Sequence, residues 1–156
     1  MMKVVLDTSC ISAFILAERM PLLFDILEKH EIVITGQVYQ ELKLSKKPLL
    51  KGFSNPKMSI VEASSSLSEQ YNLHIGEASV ISYAKQNKAL AVIDDKKART
   101  AAEREGINFV GTATLVKLGI ENGILKQGEI EELVNQLTTV GRLYFSDEIK
   151  RWIVSK

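Results

Sequence analysis

Short apolar runs rich in β-branched residues alternate along this chain with stretches whose apolar residues recur three and four apart. This alternation restricts the fold more than any other feature. Val4-Val5-Leu6, Ile32-Val33-Ile34, residues 89–93 and residues 107–110 read as strands, and residues 58–61 as a short edge strand. Helices are predicted between them. Ser9 caps one bearing Ile11, Phe14 and Ile15, and Pro21 suits the first turn of another through Leu22, Leu23, Ile26 and Leu27. Thr35-Gly36 leads into a helix with Val38, Glu41 and Leu42 on one stripe, and Gly76 opens one with Glu77, Val80, Ile81 and Ala84 on one face. Further helices follow Asp95 as far as Gly106 and begin again at Gly111-Thr112. Residues 64–72 suit a polar stretch with a helical turn or two, residues 129–137 an amphipathic helix, and residues 144–153 a helix carrying Tyr144, Phe145, Ile149, Trp152 and Ile153. Parallel strands need crossover connections, so the pattern predicts an α/β fold: three layers, α/β/α, around a central, mostly parallel sheet.

Within that fold the acidic residues fall at telling places. Asp7 and the pair Asp94-Asp95 each follow an apolar strand, at the carboxyl edge where open parallel sheets bind ligands. Right-handed crossovers allow the first strand and the strand ending at Asp95 to lie side by side. Glu41 and Glu77 sit early on helices leaving the same edge, on stripes that face inward, although a glutamate in a first helical turn also serves the helix dipole. Carboxylates crowded together repel by several kcal/mol per pair at an effective dielectric of ~20, so some are protonated or a cation neutralises them. An all-oxygen donor set suits Mg²⁺ or Mn²⁺, ions that meet phosphate oxygens. Thr8 and Ser9 offer hydroxyls to hold a carboxylate or a water.

Composition supplies the bounds. At 156 residues, 46% hydrophobic and 25% charged, the chain is expected to be one domain over residues 1–156. A net charge of +1 leaves affinity for nucleic acid to local patches. One such patch holds Lys43, Lys46, Lys47, Lys51 and Lys57 with no acid among them; another is Lys96, Lys97 and Arg99. No secretory segment opens the sequence, and one cysteine, Cys10, fits a reducing cytoplasm. Cys10 is expected in the core, and His30 and His74 at the surface or at helix ends; no Cys/His spacing suits zinc.

The order of Leu6-Asp7-Thr8-Ser9, Val38-Tyr39-Gln40-Glu41-Leu42, Gly76-Glu77-Ala78 and Ile93-Asp94-Asp95-Lys96-Lys97-Ala98-Arg99 resembles the PIN-domain family across nearly the whole chain. Gly111-Thr112 with Leu115-Val116 resembles its prokaryotic, VapC-like branch, often found beside toxin–antitoxin systems. The resemblance implies a Mg²⁺- or Mn²⁺-dependent ribonuclease acting on RNA, with Asp7, Glu41, Glu77 and Asp95 as catalytic metal ligands. The adjacent Asp94 leaves that last position ambiguous: Asp95 is the expected ligand, with Asp94 capping the helix or supporting the site from behind. A homodimer, and an antitoxin laying a segment across the acidic groove, are implied as well. The alternative is a PIN-like module that binds RNA or protein without cleaving, and metal-dependent turnover separates the two. A haloacid-dehalogenase-type phosphotransferase would want a second Asp where Ser9 stands, and a response-regulator receiver would carry its acidic pair early rather than late.

Overall fold

A computed structural model describes residues 2–45 and 58–155. Among these residues five parallel strands form one sheet in the order β3-β2-β1-β4-β5: β1 Lys3–Leu6, β2 Glu31–Thr35, β3 Met58–Val61, β4 Leu90–Val92 and β5 Phe109–Val110. The sheet is therefore wholly parallel. Val4, Val5, Leu6, Ile32, Val33, Ile34, Ala91 and Val92 are all buried, as consecutive residues must be when helices cover both faces.

Strand order reverses between β1 and β4, which pair with Val4 opposite Leu90, Val5 opposite Ala91 and Leu6 opposite Val92. The chain leaves β1 through α1 (Thr8–Leu16) and α2 (Met20–Ile26) toward β2, then passes through α3 (Gly36–Leu44) to β3. It returns through α4 (Leu67–Tyr71) and α5 (Ile75–Asn87) to β4, on the opposite side of β1. Right-handed crossovers in opposing directions put α1 and α5 on opposite faces. The layers follow from this: α5 packs on β1, β2 and β4, while α2 packs against α1 and α7 (Thr112–Glu121). Helix α3 touches both α1 and α5. Helix α6 (Lys96–Arg104) joins β4 to β5 beside α5, and α8 (Ile130–Asn135) and α9 (Asp147–Val154) complete the chain.

The structure revises several local expectations. Asp7, not Ser9, is the N-cap of α1. The β5 strand keeps two of its four expected residues. Residues 136–140 continue α8 as a π-helical turn that lies on α1. A Cβ at Gly141 would stand 2.5 Å from the Leu137 carbonyl oxygen and 3.0 Å from the Ala13 Cα, so only glycine lets the chain approach α1 there. Tyr144 and Phe145 precede α9 rather than opening it: Ser146 accepts the Ile149 N–H at 3.1 Å, with Asp147 and Glu148 in the first turn. Cys10 is core, and burial pushes its thiol up, away from thiolate chemistry.

One buried relay ties α3 to α5. Val38 N–H donates to Thr35 Oγ1 at 3.1 Å, Thr35 and Ser79 hydroxyls meet at 2.8 Å, and Ser79 Oγ donates to the Gly76 carbonyl at 2.6 Å. Ser79 directs its proton to Gly76, so Thr35 donates to Ser79 and accepts from Val38. Thr35→Val keeps the volume, removes the cap and leaves Ser79 short of a buried donor. We expect it to lower unfolding free energy by about 2 kcal/mol in urea titrations without changing the m-value.

Candidate active site

The Asp7 backbone is still in the sheet, its N–H donating to the Val92 carbonyl at 3.2 Å. Its side chain turns into the start of α1, where Oδ1 accepts the Thr8 N–H at 2.7 Å. Only 4% of the residue is exposed. Desolvation lifts the carboxyl to about 7; the Thr8 N–H opposes this, and the charges of Glu77, Glu41 and Asp94 add to it. Near neutral pH, Asp7 thus holds a proton for much of the time.

Glu41 projects from the middle of α3, between the buried Val38 and Leu42. Thr8 Oγ1 donates to its Oε2 at 2.6 Å, and its carboxylate lies over the Cα of Gly76. A Cβ on Gly76 would sit 2.1 Å from Glu41 Oε1, so the glycine is what admits the carboxylate. Glu77, one residue on, reaches back to accept the His74 N–H at 3.3 Å and close the first turn of α5. Its carboxyl is raised by desolvation first and by the nearby Asp95 next, with His74 opposing them. Two acidic groups from different helices therefore face one pocket.

The neighbouring aspartates divide. Asp95 Oδ2 accepts the Ala98 N–H at 2.9 Å as N-cap of α6, and the residue is exposed. Asp94 Oδ1 and Oδ2 accept the N–H and hydroxyl of Thr112 at 2.9 and 2.6 Å, fastening the end of β4 to the start of α7. Of the roles expected for Asp94, the cap of the helix that follows it falls to Asp95 instead, because Thr112 offers two donors to the side of β4 that Asp94 faces.

Asp7, Glu41, Glu77 and Asp95 line one pocket of about 650 Å³, with Thr8, Ser9 and Ser12 along α1 and His74 and Ile75 at the head of α5. Ser12, His74 and Ile75 carry no sequence signal for this; only the docking of α5 beside α1 puts them there. Of the expected backbone contacts, Lys43 is exposed in the last turn of α3, and Lys96, Lys97 and Arg99 are exposed on α6. Lys46, Lys47, Lys51 and Lys57 lie outside the described residues.

The donor set fits a hard divalent cation. All its polar groups are oxygens apart from the His74 ring, Ser9 Oγ is buried without a hydrogen-bond partner, and Asp7, lifted to about 7 by burial, holds a proton that a cation would displace. Among the described residues no three carboxylate, imidazole or thiol groups already converge as a ligand cage. The arrangement suits an ion that keeps several waters and takes one or two carboxylates directly.

A carboxyl titrating near 7 when folded and near 3.8 otherwise binds its proton more tightly in the native state, so this group's contribution falls as pH rises through that window. Asp7→Asn keeps the helix cap and removes the titration. In chelator, the variant is expected to match the parent near pH 4 and to exceed it above pH 7 by up to about 4 kcal/mol in urea unfolding.

Among known proteins, a family model described as a PIN domain matches residues 3–156. A search of curated proteins finds no match. PIN domains are generally nucleases and usually use divalent metals. Because the match runs the length of the fold rather than one motif of it, the chain belongs to the PIN-domain family.

Proposed function

We propose that this chain is a Mg²⁺- or Mn²⁺-dependent endoribonuclease that hydrolyses RNA phosphodiester bonds at the acidic pocket. The observation that carries the reading is the burial of Asp7 among other carboxyls, a placement that disfavours its anion unless a cation is bound. Asp7 and Asp95 would hold the ion directly, and Glu41 and Glu77 through water. A bound ion supplies Lewis acidity toward a phosphoryl oxygen and offsets charge on the departing oxygen. The chain's own groups do the rest. Glu41, held by Thr8 and seated on Gly76, and Glu77, held by the His74 N–H, would orient the attacking water and accept its proton. Thr8 braces Asp7 through its N–H and Glu41 through its hydroxyl, the unpartnered Ser9 hydroxyl would hold a water of the ion, and Asp94 fastens the sheet edge to α7. In-line attack would leave a 3′-hydroxyl and a 5′-phosphate.

Lys43, Lys96, Lys97 and Arg99, with Lys46 and Lys47 beyond the described residues, would meet the phosphate backbone, which any sequence presents alike. A toxin role, with a homodimer and an antitoxin covering the groove, completes the reading. A short neighbouring reading frame with a DNA-binding pattern would support that last element.

With Mn²⁺ and mixed cellular RNA, the parent is expected to produce 5′-phosphate fragments, and chelator to stop it. Asp7→Asn should lower the rate by more than about 100-fold while remaining folded. RNA retention without metal-dependent turnover would instead mark a binding module. The double variant Lys96→Ala, Lys97→Ala should weaken RNA binding similarly across sequences and reduce the slope of log affinity against log salt by about 0.7 for every phosphate left without its lysine.

A further inference from the structure

Asp94 lines a second cavity, of about 370 Å³, between the start of α7 and the C-terminal helix α9. Its lining includes the aromatic Tyr144 and Trp152, the guanidinium of Arg99 beside Gly111, and the polar Glu148 and Thr114. Tyr144 is 87% exposed, yet it is followed by the buried Phe145 and by Ser146, the cap of α9. Its backbone is thus anchored while its ring is bare. Trp152 is steadied by Lys117, whose ammonium lies 4.7 Å from the ring centroid and donates to the Trp152 carbonyl at 2.6 Å. Arg99 lies against Phe109, 5.3 Å from the ring centroid, and makes no ion pair among the described residues. A Cβ on Gly111 would stand 3.1 Å from Arg99 Nη1 and 3.2 Å from Asp94 Oδ1, so glycine leaves room for both groups at the cavity wall.

We propose that this cavity binds one unstacked nucleobase of the RNA strand whose backbone crosses the acidic pocket; the proposal rests on the nuclease reading and adds to it where the neighbouring nucleotide goes. Consecutive residues line the two cavities, Asp95 the first and Asp94 the second. A third hollow, lined by Lys96 and Arg99 and by Asp94 and Glu103, shares Asp94 and Arg99 with the second cavity. Bare aromatic rings, a guanidinium plane and a few hydrogen-bonding groups are what a splayed-out base needs. The volume, about 370 Å³, is that of a small-ligand pocket, enough for one planar base. Unlike the lysines, which meet every nucleotide alike, this cavity would act on bases.

The chain has one tryptophan, so Trp152 reports on its own pocket. The test uses the full chain carrying Asp7→Asn, with an unstructured ten-nucleotide RNA and a strand of equal length lacking bases. Expected are quenching of Trp152 by intact RNA, an affinity loss of about tenfold for Tyr144→Ala, recovery with Tyr144→Phe, and no effect of either change on the base-free strand. On the otherwise unaltered chain, Tyr144→Ala should raise KM with little change in kcat. RNA that is bound and cut with no dependence on Tyr144, or an equal loss for the base-free strand, overturns the pocket and leaves the nuclease standing. Trp152 emission that changes with protein concentration alone, together with a dimer dispersed by Tyr144→Ala, overturns it in favour of a second copy of the chain. Neither binding nor cleavage of RNA overturns both readings.

Discussion

Negative charge with nowhere to go is the constraint around which this molecule is arranged. Asp7 ends the central strand β1 at the point where strand order reverses, with β4 on one side and β2 on the other. A carboxyl there is shut from water by the helices that make the sheet stable, and it faces three further acids brought in by other crossovers. The same packing that creates the core therefore creates electrostatic repulsion at its edge. A proton on Asp7, whose carboxyl is lifted to about 7, relieves it in part; a divalent ion would relieve it more fully.

The supports are as specific as the acids. The relay from Val38 through Thr35 and Ser79 to Gly76 joins the heads of α3 and α5. Glu41 and Glu77, which ride on those two helices, thereby share one frame. Thr8 adds the third side, its N–H on Asp7 and its hydroxyl on Glu41. No carboxylate of the pocket relies on a long side chain alone to hold its position, which matters for a reaction sensitive to displacements of an ångström.

Much of this is legible from residue order. Alternating strands and helices fix a parallel sheet, and the handedness of crossovers is enough to bring Asp7 beside the end of β4. Glu41 on the Val38–Leu42 stripe and Glu77 behind Gly76 can be assigned inward faces from helical periodicity. What pattern cannot resolve is the choice between neighbours of identical type. Asp94 and Asp95 differ only in which side of the turn they occupy, and Thr112, eighteen positions away, decides it. The start of α9 falls later than its aromatic residues suggest, because the weaker polar signal of Ser146 sets the boundary. The π-helical turn after α8 has no recognisable code; Gly141 permits it and contact with α1 enforces it. Exposure, as at Tyr144, depends on what packs nearby and cannot be read from any single segment.

The junction between β4 and α6 is where these demands meet most tightly. Asp94 must reach Thr112 while Asp95 caps α6 and borders the acidic pocket, and no residue stands between them to absorb an error. A single insertion there would rotate one carboxylate out of place whichever way the chain relaxed. Related sequences that keep this arrangement should accordingly vary in residue type around this turn but hold its length constant.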